Sequence, residues 1–390
     1  MQDKKRVLIL TADAGFGHRS AANAIAAAIR DSYGTSCDCS IVNPADDPRA
    51  PSIIRRPQAA YDRTIRTFPR TYRLSYQISD SYPASRVVEG VIAQFMLEVF
   101  EEILRTYAPD VVISTYPLYN TALHSALARN KMDVPFFVVI TDLADVHHLW
   151  FQPGADKYFA ATEEVSREAI LSHVPPHRVV LSGLPIDPRI AQEHRDKGTI
   201  RQSLGWDPEL PALLAVGSIR MKGLLPKLEA VASCRIPLQL AIVAGGDNAL
   251  FNTARSTLWN IPVSCYDYVH NMPEMLHAAD LLITKAGGLI TSEALACGLP
   301  IIFVEAIPGQ ETGNVRYVSA HSAGVMAKTA AQLQATICQW LESDQRVLRE
   351  FARNASQLGR PDAAYQIARE IGEVISGTGI SQQSHHSISP

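Results

Sequence analysis

A glycine turn followed by a helix could bind phosphate between residues 281 and 314. An apolar run at 281–283 predicts a buried strand, and Gly287 and Gly288 predict a tight turn. The spacing then predicts a helix that begins near Thr291 and Ser292. A helix N-terminus presents unpaired N–H groups and the positive end of the helix dipole, which suit a phosphate anion. We therefore expect these two glycines and two hydroxyl residues to bind a diphosphate.

Further polar residues around this helix suit the rest of a nucleotide-sugar. Glu293, one turn into the helix, is a carboxylate that could bind a ribose diol. After a second predicted strand at 301–304, a loop carries Gln310, Glu311 and Asn314, whose side chains could bind sugar hydroxyls. The alternative is an ordinary strand–helix–strand unit, with glycines for packing and a surface glutamate. Spacing alone leaves both open. A second loop of the phosphate-binding type, after a strand at 212–216, contains Gly217 and Ser218.

His18 is the best candidate for a general base. It ends a glycine loop that follows a predicted strand at 4–10 and precedes an Ala-rich helix at 20–29. The loop partly matches the dinucleotide-binding fingerprint, but Ser20 replaces the third Gly and no clear acidic partner follows, so NAD is disfavoured. A helix N-terminus disfavours an imidazolium, so His18 should stay neutral and able to accept a proton. The alternative is a histidine that only caps the loop.

Asp142 follows another predicted strand, at 134–140, and could have an acceptor-side or electrostatic role or simply cap a helix. His147 and His148 follow it, but adjacent histidines without a cysteine or carboxylate pattern do not suit a shared metal. We therefore expect no metal.

The segment 49–86 is basic and rich in aromatic residues. It contains eight arginines against two aspartates, in a chain whose formal net charge is −3. Interleaved basic and aromatic residues favour an anionic membrane surface. Nucleic-acid binding is disfavoured, and a solvated helical face remains open. The residues expected to meet the membrane or acceptor are Arg55, Arg56, Arg63, Arg66 and Tyr72.

Composition is that of a globular protein in a reducing compartment. The 390 residues are 47% hydrophobic and 19% charged, enough for two cores. The six cysteines form no C-x-x-C pair. No signal peptide and no apolar run of the roughly 18 residues that span a bilayer is evident, so we expect peripheral membrane contact from the cytoplasm, on the inner face of the cell membrane.

Alternation of predicted strands and helices indicates an α/β protein with two Rossmann-like domains that face a cleft. We place the N-terminal domain, for acceptor and membrane, at 1–196 and the C-terminal donor domain at 197–360. A terminal helix at 361–376 should return to the first domain, and a polar tail at 377–390 should be disordered.

The segment from Thr284 to Asn314, with its TKAGG, SEALA, GLPII and PGQE motifs, resembles the donor site of family 28 glycosyltransferases. TADAGFGHRSAANAI resembles the Gly-x-Gly-His motif of that family's diacylglycerol branch, and the TDL and WF.P motifs of residues 141–153 resemble its galactolipid synthases. The resemblance extends from residue 5 to about 370 and implies the GT-B fold.

The resemblance also implies roles for individual residues. It assigns His18, beside Gly17, to binding or deprotonating the acceptor hydroxyl, and it places Trp150 at the domain cleft. It implies that backbone near Val269 binds uracil, that Gly217, Ser218 and Gly288 hold the diphosphate, and that Gln310 and its neighbours bind the sugar. The implied reaction transfers a hexose from a UDP-sugar to 1,2-diacylglycerol with inversion, without a metal. Mixed galactosyl-type and glucosyl-type motifs favour galactose only slightly.

Three other functions stay open. A peptidoglycan-type N-acetylglucosaminyltransferase would share the fold, but the Arg- and Tyr-rich segment and the single Gly-x-Gly-His motif argue against it. A UDP-sugar 2-epimerase would be indifferent to liposomes. A non-catalytic nucleotide-sugar sensor would lose neither signal nor binding when His18 is replaced by Ala.

Overall fold

The computed structural model describes residues 4–13, 16–51, 55, 82–151, 154–309 and 311–376. Within them the chain forms two six-stranded sheets in which every neighbouring pair of strands is parallel. None of the helices in this part of the chain combines the length and hydropathy needed to cross a membrane.

The first sheet has the strand order β2-β1-β3-β4-β5-β6. Its strands are β1 (Lys5–Leu10), β2 (Cys37–Val42), β3 (Val111–Ser114), β4 (Phe136–Val139), β5 (Lys157–Ala160) and β6 (Val179–Leu181). The helices of this half are α1 (Phe16–Tyr33), α2 (Tyr82–Tyr107), α3 (Asn120–Arg129) and α4 (Glu163–Leu171). Short helices α5 (Arg189–Gln192) and α6 (Lys197–Ser203) lead into the second half.

The second sheet has the order β12-β11-β10-β7-β8-β9. Its strands are β7 (Ala212–Val216), β8 (Gln239–Val243), β9 (Val263–Tyr266), β10 (Leu281–Lys285), β11 (Ile301–Glu305) and β12 (Gly324–Met326). Its helices are α7 (Leu224–Ala232), α8 (Asn248–Ser256), α9 (Met272–Ala278), α10 (Gly288–Ala296), α11 (Thr312–Ala320), α12 (Ala330–Leu341) and α13 (Arg346–Leu358). The last described helix is α14 (Ala363–Ile375).

The central strands are apolar on both faces because helices cover both sides of each sheet. All four residues of β3 and all five of β8 are buried. The predicted strands at both sheet centres are confirmed, but β2 was not anticipated. Its sequence, CDCSIV, contains no continuous apolar run, and its residues stay partly exposed at the sheet edge.

Helix α14 packs against the first half although it follows the second in sequence. Ile367 and Ile371 lie in one buried cluster with Ile25 of α1, and Tyr33 Oη donates a 3.3 Å hydrogen bond to the carbonyl oxygen of Ala368. The end of the described chain therefore fastens the second half to the first. The domain boundaries given above stay predictions.

The carboxyl ends of the strands in the two sheets meet across a cleft. A Cβ atom built on Gly313, at the start of α11, would lie 2.7 Å from the carbonyl oxygen of Ala144, which follows β4. Arg316 of α11 forms ion pairs with Asp145 and with Glu164 of α4. In open α/β sheets this edge is where ligands bind.

Candidate active site

His18 lies in the first turn of α1, because this helix begins at Phe16, four residues before the start predicted from the sequence. Its Nδ1 is 2.8 Å from the carbonyl oxygen of Thr115 and 2.9 Å from Thr141 Oγ1. Residue 115 follows β3 and residue 141 lies just beyond β4, so three neighbouring strands deliver this cluster to one edge. A carbonyl can only accept, so Nδ1 carries the proton and Nε2 keeps its lone pair.

Burial keeps this imidazole neutral. Loss of solvation lowers the pKa of His18 to about 4, and the hydrogen bond to Thr115 opposes that shift only in part. The neutral state was expected, but from the helix dipole; desolvation is the larger cause. At neutral pH Nε2 can therefore accept a proton.

Asp142 accepts a hydrogen bond from one of the aromatic residues that surround His18. Trp150 Nε1 donates a 3.0 Å hydrogen bond to Asp142 Oδ2. Trp150 is 1% exposed, and its ring centroid lies 6.1 Å from that of the His18 imidazole. The Tyr116 ring packs edge-on against the imidazole, with 5.0 Å between the ring centroids. The helix-cap alternative for Asp142 is therefore wrong: the residue lies in a loop and orients an indole.

The carboxyl group of Asp142 is poorly solvated. Burial raises its pKa, the Trp150 hydrogen bond lowers it, and the negative charge of Glu311 raises it again. Glu311 belongs to the second half, so the charge of one half acts on a carboxyl group of the other. A catalytic role for Asp142 stays a prediction.

The helix predicted to bind phosphate begins three residues earlier than the sequence predicted. Helix α10 starts at Gly288 with Gly287 as N-cap, which offers no side-chain cap. The N–H of Gly287 donates to the carbonyl oxygen of Lys285 at 2.8 Å, and this tight turn starts the helix immediately after the strand. The sequence placed the helix start too late because Ser and Thr are favoured N-cap residues.

The earlier start of α10 changes which groups can bind an anion. Thr291 lies inside α10, where both its N–H and its hydroxyl donate to the carbonyl oxygen of Gly287. The first N–H groups of a helix have no acceptor within it, and in α10 these belong to Gly288, Leu289 and Ile290. Ser292 is buried beside a small cavity between the halves, and its hydroxyl has no hydrogen-bond partner in the described part of the chain.

The start of α10 lies directly opposite the His18 cluster. A Cβ on Gly288 would be 3.1 Å from the carbonyl oxygen of Thr141, the residue whose hydroxyl contacts His18. Asn314 Nδ2 lies 3.9 Å from the same Cβ position and donates to the carbonyl oxygen of Ala286 at 2.8 Å. Thr141 thus lies next to both the imidazole and the turn that starts α10.

Glu293 is buried further along α10. Burial and the charge of Asp187 raise its pKa to about 8, while Arg189 opposes the shift. Arg189 Nη2 also donates a 2.9 Å hydrogen bond to the carbonyl oxygen of His270, beside Val269. Arg189 therefore acts on Glu293 through its charge and on the 269–270 loop through a hydrogen bond.

The loop after β7 adjoins α10 because β7 and β10 are neighbours. Ser218 Oγ accepts the N–H of Arg220 at 3.2 Å. A Cβ on Gly245, whose φ is +63°, would lie only 2.4 Å from the carbonyl oxygen of Gly217, and a Cβ on Gly217 would lie 2.6 Å from the Leu250 side chain. Close packing alone therefore explains Gly217, and its diphosphate contact stays a prediction.

Glu311 is 5% exposed and already engaged. One carboxylate oxygen pairs with Lys285 Nζ and the other accepts the N–H of Ile307 at 2.9 Å. Its predicted contact with the sugar is not tested by this arrangement. Gln310 lies outside the described residues, as do Arg56, Arg63, Arg66 and Tyr72. Arg55 is exposed, and space is open around Gly17.

Sequence reasoning missed Thr115, Thr141 and Lys285 as site residues. Each lies at or just beyond the carboxyl end of a central strand, and that position is the signal that could have found them.

The two facing parallel sheets define the GT-B fold, which glycosyltransferases share with sugar-nucleotide epimerases. MurG of Acinetobacter baumannii is similar, with a TM-score of 0.60, 15% identity and coverage of 95% of this chain and 99% of that one. The calicheamicin glycosyltransferase CalG4 gives a TM-score of 0.59 at 14% identity, covering 97% and 100%. UDP-GlcNAc 2-epimerase of Neisseria meningitidis, solved with UDP-GlcNAc, gives 0.60 at 12%, covering 94% and 100%. These likenesses establish the predicted fold.

Sequence comparison then gives the family. Residues 18–186 match the monogalactosyldiacylglycerol (MGDG) synthase family and residues 217–367 match the glycosyltransferase family 28 C-terminal domain. The chain is 32% identical to the probable chloroplastic monogalactosyldiacylglycerol synthase 2 of Oryza sativa subsp. indica, covering 94% of this chain and 80% of the relative. The chloroplastic monogalactosyldiacylglycerol synthase of Spinacia oleracea is 30% identical, covering 96% and 73%. The chain belongs to the monogalactosyldiacylglycerol synthase family and is a glycosyltransferase, which confirms the resemblance.

Proposed function

We propose that this glycosyltransferase transfers a hexose from a UDP-sugar to 1,2-diacylglycerol with inversion at the anomeric carbon. The observation that carries the proposal is the double contact of Thr141. Its hydroxyl lies 2.9 Å from His18 Nδ1, and its carbonyl oxygen is 3.1 Å from the Cβ position of Gly288. A base and an anion-binding turn therefore face one small space.

The donor occupies the second half. N–H groups at the start of α10 and the loop at Gly217 and Ser218 hold the diphosphate by their dipoles. Glu293 binds the ribose diol, and the backbone near Val269 binds uracil. Gln310, Glu311 and Asn314 bind the hexose. Asn314 supports this because its buried Oδ1 has no hydrogen-bond partner in the described part of the chain, a cost that a sugar hydroxyl would remove.

The acceptor approaches from the first half. Its hydroxyl oxygen forms a bond to the anomeric carbon while the bond from that carbon to the β-phosphate oxygen breaks with both electrons. The hydroxyl proton passes to His18 Nε2. Attack from the side opposite the diphosphate inverts the anomeric configuration. Trp150 and Tyr116 supply an apolar surface on which the glycerol end of the lipid packs.

Acceptor delivery requires a membrane surface. The arginines and aromatic residues of 49–86 bind an anionic bilayer peripherally, on the cytoplasmic side. Support comes from composition, since eight arginines and two aspartates share this segment. The plant relatives are named MGDG synthases, which supports diacylglycerol as the acceptor and favours galactose over glucose as the sugar.

The direct test offers diacylglycerol vesicles containing anionic lipid to the purified protein, with UDP-galactose and UDP-glucose supplied separately. Monohexosyldiacylglycerol should form, faster from UDP-galactose, and vesicles without anionic lipid should support less product. UDP-sugar conversion to a 2-epimer without vesicles, or the absence of glycolipid from both donors, would contradict the proposal.

A further inference from the structure

Lys285 places a positive charge against the N-terminus of α10. It is the last residue of β10, where the pairing with β11 shifts register between Thr284 and Lys285. Its side chain is 18% exposed. A Cβ on Gly287 would lie 3.1 Å from Lys285 Nζ, so the ammonium packs against the backbone of the N-cap.

This position is electrostatically unusual. Carboxylates stabilise the positive end of a helix dipole and cations destabilise it. The first turn of α10 has no acidic residue, yet an ammonium lies beside it. Glu311 supplies the counter-charge, and its other oxygen is fixed by the N–H of Ile307. The ammonium is therefore held in place beside the positive end of the helix dipole. Together they form a region of positive potential that could attract a second anion.

We infer that Lys285 stabilises the charge that develops on the leaving diphosphate. The inference rests on the proposed function and adds a catalytic residue to it. When the bond between the anomeric carbon and the β-phosphate oxygen breaks, the electron pair stays on the phosphate and UDP gains one negative charge. An ammonium beside the N–H groups of Gly288 and Leu289 stabilises that charge at the moment it forms.

Glu311 acts through Lys285 as a positioning residue. Its two hydrogen bonds, to the ammonium and to the Ile307 N–H, fix the lysine against Gly287 rather than letting it extend into solvent. Other lysines of this half are placed differently. Lys227 Nζ donates to the carbonyl oxygen of Val304 at 2.8 Å, which makes Lys227 a matched, partly buried control.

The test compares calorimetric binding of UDP and of uridine, which has no phosphate. Lys285→Met should weaken UDP binding about 10- to 100-fold, the effect of one lost charged hydrogen bond. Uridine binding should stay within about twofold, because uridine does not reach the N-terminus of α10. Lys285→Arg should restore most of the UDP affinity, and Lys227→Met should change neither affinity.

The control for folding is the double variant Lys285→Met/Glu311→Gln, which leaves no unpaired buried carboxylate. Its thermal unfolding midpoint should equal that of Glu311→Gln. Equal losses for UDP and uridine, or no loss for either in Lys285→Met, would overturn the inference. Wild-type protein that discriminates UDP from uridine through Lys285 but makes no glycolipid would contradict only the proposed reaction. Wild-type protein that binds no UDP would overturn both.

Discussion

The Nδ1 atom of His18 lies 2.8 Å from the main-chain oxygen of Thr115, a residue 97 positions away that follows β3. This hydrogen bond fixes the tautomer because a carbonyl oxygen can only accept. The atom of His18 that can accept a proton is therefore Nε2 and not Nδ1.

The low pKa of His18 predicts the pH dependence of catalysis. A pKa lowered to about 4 means that the basic form persists as pH falls from 8 to 5. The dependence of kcat/KM on pH, measured as glycolipid formed in vesicles, should therefore lack the acid limb near pH 6.5 that a solvated histidine gives. An apparent pKa near 6.5 that disappears in a His18→Ala background would contradict this account of the base.

Glu293 should make the protein less stable as pH rises. Its folded-state pKa of about 8 exceeds the ordinary value of 4.5, so the folded chain holds a proton that the unfolded chain has released. Between pH 6.5 and 8, the free energy of unfolding of the wild type should fall relative to Glu293→Gln, by at most about 1.4 kcal/mol per pH unit. Urea unfolding at several pH values measures the difference. Parallel pH profiles for the two proteins would contradict the buried, unionised Glu293.

The Trp150→Phe variant should separate two effects of Trp150: its hydrogen bond to Asp142 and the packing of its ring near His18. The change keeps an aromatic ring near His18 but removes the donor to Asp142, whose pKa should rise further because that hydrogen bond lowers it. We expect turnover to fall about 10-fold or more, since a hydrogen bond to a charged group contributes about 1.5–3 kcal/mol. UDP affinity should not change. Trp340→Phe, a buried tryptophan packed against Phe351, is the control and should keep full turnover.

Gly313→Ala tests the close approach of the halves. The new Cβ would lie 2.7 Å from the carbonyl oxygen of Ala144, a backbone atom that cannot move without shifting the loop after β4. We expect a loss of about 1–3 kcal/mol in the free energy of unfolding and a larger fractional loss of turnover than of UDP affinity. Gly90→Ala in α2 is the control, because no atom lies within 4 Å of its Cβ position. Unchanged turnover in Gly313→Ala would contradict a site shared between the halves.

Much of the fold followed from the hydrophobic pattern, because buried parallel strands contain continuous apolar runs, such as ALLAV in β7 and LLI in β10. The start of α10 did not, because the chain closes a turn from Gly287 to Lys285 before any preferred N-cap residue is reached. The edge strand β2 has a mixed sequence and was missed for that reason.

Membership of the candidate site was predictable only where a local motif singles out one side chain. His18 and Glu293 could be named from their local motifs. Thr115 and Thr141 could not, because their contacts with His18 join residues 97 and 123 positions apart. The cause of the neutral imidazole could not be predicted from the sequence either, since desolvation depends on what packs around the ring.

The central claim is that a neutral imidazole activates the acceptor while a separate pocket holds the nucleotide. Its most direct test measures glycolipid turnover and UDP affinity for His18→Ala on the same preparation. The control is His321→Ala, a substitution at the C-cap of α11. Turnover should fall about 10²- to 10⁴-fold, the usual contribution of a general base, while UDP affinity stays at the wild-type value. Retained turnover, or a loss of UDP affinity as large as the loss of turnover, would contradict the account.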